Sequence, residues 1–410
     1  MADTADERLK AVARQLFLRS GFEETGIDLI AREARVSKQS MYELYPTKVD
    51  LFGAVMRDVI ASISAEISSE LSIVSGDPAT AIGDVMKSYL AHFLSPENMG
   101  LTRAQLVATR CFPHLATELH NRTIKGAPAL AHYLASLMQD GILQEWDPAA
   151  LARRFGSVAT QGTRFLMGFP IHRQRQYDQA GSSIDLLLNG YRRAAQFSDA
   201  TLDDPLSEEP RFDEIQKKRR IAPERIEDLM DAASDEFLNQ GFRGARIDHI
   251  VEKSGVGAAT IYRQFGDKRG LFQQMLIHLG RPSDVTDAPR AESTVGATLQ
   301  RLARWLLDRH LHPRNLLYQR LMICEAERYP DIARWAYDGQ VASTASALTQ
   351  RLVEFGMPIP SLLASRTFYT LATFGVRFVV TAENPDSSQR AALSREATTL
   401  FLNGTRERLR

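Results

Sequence analysis

Hydrophobic residues recur at helical spacing along most of the chain. Leu9, Val12, Ala13, Leu16 and Phe17 outline an amphipathic first helix that stops at Ser20-Gly21. Ile27, Ile30, Ala31 and Ala34 form the apolar face of a second, with Thr25 and Asp28 spaced as a capping box at its start. Arg35-Val36-Ser37 breaks the pattern, and Ser37 suits the N-cap of a third helix, which Pro46 ends. Met41, Leu44 and Tyr45 fall on its inner side, leaving Lys38, Gln39, Ser40 and Tyr42 facing outward. A face of small polar residues, one cation and one phenol suits a DNA major groove, although an ordinary surface helix would read the same way. Leu51 to about Glu70 then predicts a long helix leading away.

The helical pattern continues from Asp77 to about Phe197. It predicts helices around Ala81–Phe93, over Leu101–His120 with a break at Pro113, over Ala127–Met138, over Pro148–Met167 and over Ile184–Ala195. With no β-hairpin signal, the fold class is all-α. Residues 197–220 are poor in apolar residues, carry two prolines and read as a linker, acidic first and ending in Lys217-Lys218-Arg219-Arg220. Fully extended, it would reach roughly 80 Å, enough to hold its flanking units together or apart. Ile226–Leu238, Arg246–Ser254 and Gly257–Phe265 then repeat the opening order of helices.

The repeat is ungapped at an offset of 220 residues. Gly21-Phe22, Ile27-Asp28 and Ile30 meet Gly241-Phe242, Ile247-Asp248 and Ile250, while Val36, Tyr42, Lys48, Leu51 and Phe52 meet Val256, Tyr262, Lys268, Leu271 and Phe272. Later segments echo too: PHLATELHN at Pro113 resembles PDIARWAYD at Pro330, and LLNGYRR at Leu187 resembles FLNGTRER at Phe401. At these residues the chain resembles the TetR family of bacterial regulators, twice over. The carrying pattern is a Gly-Phe turn, an Ile-x-x-Ile helix, a recognition-helix Tyr, and a Lys followed by Leu-Phe. The resemblance implies two tandem units. Each would have a three-helix helix-turn-helix head and a helical bundle for ligand binding and dimerisation. The implied boundaries are 5–56 and 57–196 for the first unit, 197–220 for the linker, and 221–276 and 277–410 for the second.

The resemblance also implies that Lys48, Lys268, Tyr42 and Tyr262 contact DNA phosphates, and that Thr25 starts the second helix where the family has its Thr. Ser37, Lys38, Gln39 and Ser40 are the base-edge candidates of the first head, since Lys and Gln have defined pairings with guanine and adenine. The second head departs from this pattern. Gly257-Ala258-Ala259 stands where the first has Ser37-Lys38-Gln39, so its cap is weaker and a cation is missing. Ala258, Ala259 and Thr260 suit thymine methyls, and Arg246 and Arg263 add cations that the first head lacks there. The two heads should therefore read different half-sites. Lys217–Arg220 reads either as a minor-groove arm or as a solvated linker end. Candidates for an effector cavity are Tyr133, Phe165, Arg164, Tyr318, Trp335, Phe374 and Arg377, although the aromatics read equally as core. Arg164 and Arg377 occupy matching places in apolar helices, where a cation meets an acidic effector or a structural carboxylate.

Composition narrows the alternatives. The 410 residues hold 50 basic and 50 acidic side chains, so DNA affinity must come from local placement and not from bulk charge. Cys111 and Cys324 are far apart in apolar contexts, which argues against a disulfide framework or a metal cluster. The amino terminus lacks a signal-peptide core and no apolar run is of membrane length, so a cytoplasmic protein with no membrane partner is expected. No hydrolase or metalloprotease motif occurs, and Gly255-Val256-Gly257 precedes no strand–helix–strand unit. The expectation is a non-enzymatic regulator without cofactor or metal. Its partners would be a double-stranded operator, a small-molecule effector of unknown identity, and either its own other half or a second chain. The competing expectation is a helical small-molecule-binding protein with one or both heads degenerate.

Overall fold

The computed structural model describes residues 4–71, 77–125, 128–194, 200–210, 222–281, 287–381 and 383–406. Among them the only β-type pairing is an isolated bridge between Leu143 and Arg406. The first unit runs α1 (Ala5–Glu24), α2 (Ile27–Glu33), α3 (Lys38–Leu44), α4 (Lys48–Leu71), α5 (Pro78–Phe93), α6 (Pro96–Cys111), α7 (Pro113–Lys125), α8 (Pro128–Gln139), α9 (Pro148–Ala159), α10 (Arg173–Asn189) and α11 (Tyr191–Ala194). The second runs α12 (Pro223–Gly244), α13 (Ile247–Ser254), α14 (Ala258–Phe265), α15 (Lys268–Gly280), α16 (Val295–His310), α17 (Pro313–Glu325), α18 (Pro330–Val353), α19 (Leu362–Thr373), α20 (Arg377–Val380) and α21 (Ser387–Asn403).

Proline sets the start of α5 through α9, and again of α12, α17 and α18, because its fixed φ suits the first helical turn and its missing N–H is not needed there. The predicted helix over Pro148–Met167 is in fact two: α9 ends at Ala159, and a short 3-10 turn follows over Arg164–Met167. Gln161 and Gly162 make the break, both with positive φ (50° and 65°). Conversely, α10 begins at Arg173, well before the predicted Ile184, because its opening turns are polar. α4 runs without interruption through the expected head boundary at 56/57, and α15 does the same at 276/277. Each head is thus carried on a continuous helix.

α9 and α10 of the first unit pack against α19 and α21 of the second. Two pairs of glycines mark that contact. A Cβ on Gly190 would lie 2.2 Å from the Asn403 carbonyl carbon, and one on Gly404 would lie 2.4 Å from the Gly190 nitrogen. Likewise a Cβ on Gly162 would lie 3.3 Å from the Gly375 Cα, and one on Gly375 would lie 3.2 Å from the Gly162 Cα. Phe374 and Gly375 repeat the positive φ values of Gln161 and Gly162. The two units therefore end matching helices in the same way and meet at the ends. Tyr191 and Phe401 stack beside this seam with centroids 5.0 Å apart.

The described part of the linker does not span open solvent. The Asp203 carboxylate accepts from the backbone N–H groups of Leu362 and Leu363 at 2.9 and 2.7 Å, capping the start of α19. The Ser207 amide and hydroxyl both donate to Asp338 Oδ2. Residues 203–207 thus lie strapped along the seam. The basic run Lys217–Arg220 lies outside the described residues.

Candidate DNA-binding heads and effector site

In both heads a glycine with positive φ (Gly21, 75°; Gly241, 70°) kinks the end of the first helix. The kink turns the next residue inward, burying Phe22 and packing the partly buried Phe242 against the core. There Phe22 meets Phe52 and Phe242 meets Phe272, at centroid distances of 5.1 and 5.0 Å. This is the structural content of the repeated Gly-Phe motif. The turn between the second and third helices also needs a left-handed residue. Gly255 supplies it in the second head (φ 66°), whereas Arg35 supplies it in the first (φ 53°).

Ser37 caps α3, accepting from the Ser40 amide, while Gly257 caps α14 without a side-chain hydrogen bond. Met41 and Ile261 are fully buried and anchor the two recognition helices. Leu44 departs from expectation. It is 45% exposed because α3 ends there and Tyr45 leaves in extended backbone, its hydroxyl donating to Asp6. Tyr42 and Tyr262 stand out at 44% and 45% exposure, so the paired tyrosines present the same outward ring.

On the outward face of α3, Lys38 reaches back to Asp28 at 2.7 Å, an ion pair that raises its pKa. Gln39 donates to Glu43 at 3.0 Å, and the Ser40 and Ser37 hydroxyls lie 2.8 Å apart. All of these contacts are solvent-exposed, so each group can exchange its partner for DNA at small cost. On the second head Ala259, Tyr262 and Arg263 are exposed, Ala258 and Thr260 half-buried, and Arg263 leans towards the Thr260 hydroxyl at 3.4 Å. Arg246 is an exposed N-cap whose backbone amide donates to the buried Glu236, while its side chain lies 3.8 Å from Asp248.

Thr25 does not take its expected capping place, and the two lysines make contacts within their own heads. The Thr25 hydroxyl is fully buried and donates to the Gly21 carbonyl at 2.7 Å, and Gly26, not Thr25, is the N-cap of α2. The expected capping box is absent, and no Thr25 hydroxyl is left to face DNA. Lys48 Nζ donates to the Phe22 and Thr25 carbonyls at 2.9 and 3.3 Å and lies over the Phe22 ring. Lys268 Nζ does the same with the Arg243 and Ala245 carbonyls and the Phe242 ring, and desolvation by burial lowers its pKa. The recurring lysine therefore ties the end of the first helix to the fourth. A cation at exposed helix-end carbonyls is a favourable placement.

The expected cavity residues do not converge. Tyr318 donates its hydroxyl to the Leu276 carbonyl at 2.8 Å and, with Trp335, closes over Gly280. Phe165 is fully buried, and Tyr133 lies half-buried against the bundle core. Phe374 carries the Arg154 guanidinium over its ring, and Arg377 pairs with Glu383 at 2.7 Å. Large aromatics in a helical bundle fill the core first, which accounts for most of this set. Arg164 lines a cleft of about 550 Å³ between the 3-10 turn, α10, the strap and the start of α18. It is 2% exposed and donates to Asp204 Oδ2 at 2.5 Å. Arg175 and Gln179 hold the same carboxylate, and Arg366, 1% exposed, lies 3.8 Å from it. Sequence reading missed Asp204 and Arg366. The signal for Arg366 was an arginine amid the apolar run LLASRTFYTLA, and for Asp204 nothing local distinguishes it from its acidic neighbours.

Among the described residues no group of His, Cys, Asp or Glu has the makings of a metal site, and no helix is long and apolar enough to cross a membrane. Comparison with known proteins then places these features. The model for bacterial regulatory proteins of the tetR family matches twice, over residues 9–55 and 229–275. The model for the C-terminal domain of AefR-like transcriptional repressors matches residues 80–193. Similar solved structures include a protein described as a TetR-family transcriptional regulator from Mesorhizobium loti, 20% identical, covering 44% of this chain and 93% of that one, with a TM-score of 0.41. The flavonoid-responsive regulator FrrA is 25% identical over 44% of this chain and 95% of its own, with a TM-score of 0.36. Reduced NemR from E. coli is 18% identical over 44% and 95%, with a TM-score of 0.35. No curated protein matches the chain.

Proposed function

We propose, because this chain belongs to the TetR family of bacterial regulatory proteins, that it is a repressor in which one chain does the work of a dimer and a small molecule releases it from its operator. That it is a DNA-binding transcriptional regulator, and not an enzyme, follows from the family. The finer reading rests on one observation above all: the seam of paired glycines, Gly162 with Gly375 and Gly190 with Gly404, joins the two units within one chain. Dimeric regulators place two recognition helices about one DNA turn apart, and fusion supplies the second helix at high effective concentration. In this reading residues 5–56 and 221–276 are the heads, and 57–196 and 277–410 the bundles. Lys38, Gln39 and Ser40 read base edges in one half-site, and Ala258, Ala259 and Thr260 meet thymine methyls in the other. Tyr42, Tyr262, Arg246 and Arg263 hold phosphates. The similarity of residues 80–193 to a repressor's C-terminal domain supports the sign of regulation.

Because Ser37-Lys38-Gln39-Ser40 faces Gly257-Ala258-Ala259-Thr260 in the repeat, the operator should have unlike arms. Selection of bound fragments from a random DNA pool tests this. Two distinct half-sites about one turn apart are expected, and a perfect inverted repeat protected equally on both arms would contradict pairing of unlike heads.

A further inference from the structure

The strap brings a carboxylate onto two buried arginines. Arg164 and Arg366 are 2% and 1% exposed, and come from opposite units. The Asp204 carboxylate reaches them from the linker, not from either bundle. It accepts from Arg164 Nη2 at 2.5 Å, Arg175 Nε at 2.7 Å and Gln179 Nε2 at 3.0 Å. Yet the site remains underfilled. Arg164 Nε, Arg366 Nε and Nη1, and Gln176 Oε1 are all buried without a hydrogen-bond partner, although Gln176 is 2% exposed. Asp338 is 1% exposed and lies 4.0 Å from Arg366, with its Oδ1 also unpartnered. Arg366 Nη2 donates to the Asp204 carbonyl at 3.3 Å, yet neither Asp204 nor Asp338 reaches the remaining buried donors, which call for a differently placed acceptor.

The other side of the seam shows what a purely structural version looks like. The register that matches Arg164 with Arg377 matches Arg153 with Arg366. There, Arg377 takes Glu383 at 2.7 Å from the loop just after its own helix. The same register puts Pro170 opposite Glu383 in the first unit, so that unit has no local acid and relies on the linker. An acid on a linker can leave without unfolding a helix. An acid next to its own helix is held there.

We propose that the Arg164–Arg366 pair is a binding site for a small monocarboxylate with an apolar body, and that Asp204 occupies it as an internal competitor when no such ligand is bound. The apolar body would lie against Phe169, Pro170 and Pro205, which line the adjoining cleft of about 550 Å³. Asp331 at the cleft is paired with Arg334, whereas Glu208 and Glu209 stand beside it and disfavour phosphates and other polyanions more than a single carboxylate. Displacing the Asp204 side chain removes one fastening of the strap, which Asp203 and Ser207 still hold to α19 and α18, so occupancy is linked to the seam and through it to the spacing of the heads. The site rests on the effector reading above, and the two are separable by experiment.

The test is calorimetric titration of the full chain with benzoate and hexanoate, using benzamide and hexanamide as uncharged controls. Asp204→Asn should tighten binding of at least one carboxylate tenfold or more and leave both amides unchanged. Adding Arg164→Gln to that variant should abolish the gain. No gain for either carboxylate, or an equal gain for its amide, overturns the proposal. Should Asp204→Asn melt too early to titrate, the carboxylate but not the amide is expected to raise its melting temperature. An equal effect of the two overturns the proposal as well. Operator release is scored separately. Carboxylate binding that leaves the DNA complex intact supports the site and contradicts effector release. Release that is indifferent to both Asp204→Asn and Arg164→Gln contradicts the site and supports effector release.

Discussion

Tyr42 and Tyr262 hold their rings at the surface, while Lys48 and Lys268 turn their ammoniums onto the carbonyls that end the first helix of each head. Substitution should separate the two roles. Tyr42→Phe is expected to leave the thermal melt unchanged and weaken operator binding by about 1 kcal/mol, the scale of one hydrogen bond. Lys48→Ala is expected to destabilise the head by about 1–3 kcal/mol through loss of charged hydrogen bonds. A normal melt for Lys48→Ala with a lowered one for Tyr42→Phe would reverse the assignments. The Ser37 cap was legible in the sequence because it depends on residues three apart. The direction taken by Lys48 and Thr25 was not, because it depends on helix ends brought together only by the fold.

A titratable residue adds a pH signature. His310 is 3% exposed, its Nδ1 faces the Gln319 amide nitrogen at 3.2 Å, and burial pushes its pKa down to about 4 from 6.5. The unfolded chain takes up this proton below about pH 6.5, whereas the native one waits until about pH 4. Its contribution is therefore complete above pH 6.5 and is lost as pH falls from there towards 4, by about 2–4 kcal/mol. Urea titrations across that window should show the loss in the native protein and a flatter profile in His310→Gln. Parallel profiles would exclude His310 as the source.

At the scale of elements, the two heads solve one problem at different cost. The turn into the recognition helix needs positive φ, which Gly255 adopts freely and Arg35 adopts under strain. Arg35→Gly should relieve about 1 kcal/mol in the first head, and Gly255→Ala should cost about as much in the second, since nothing lies within 4 Å of its missing Cβ. Equal and opposite shifts in denaturation midpoint would confirm that backbone strain alone is at work; a stability loss in both would refute it. The seam is less forgiving. Gly190→Ala would put a Cβ 2.2 Å from backbone of α21 at a φ of 75°, so α10 and α21 must separate. A loss of more than about 3 kcal/mol is expected. A melt like that of the native protein would show that the units do not meet there. The Leu-Asn-Gly echo at Leu188 and Leu402, on the two sides of this contact, was visible in the sequence. The break at Gln161-Gly162 was hidden, because apolar residues resume beyond it at Phe165, Leu166 and Met167.

For the whole molecule, an internal repeat, ungapped through the heads and offset by small deletions beyond them, was visible from residue identities alone, and it carried the fold. The linker's course was hidden. Its acidic, proline-bearing composition reads as a solvated tether, and only the three-dimensional seam turns Asp203, Asp204 and Ser207 into fastenings. The cluster built on Phe17, Phe22, Phe52 and Met41 in head 1 takes in Leu119 of α7, and the core of head 2 is continuous with the bundles, so both heads pack on the body. The central claim is that one chain, using both heads, serves one operator. The most direct measurement is the mass of the complex with a selected operator duplex, by light scattering at concentrations well above the dissociation constant. The account predicts one chain per duplex with both half-sites protected. Two chains per duplex, each engaging the DNA through a single head, would contradict it.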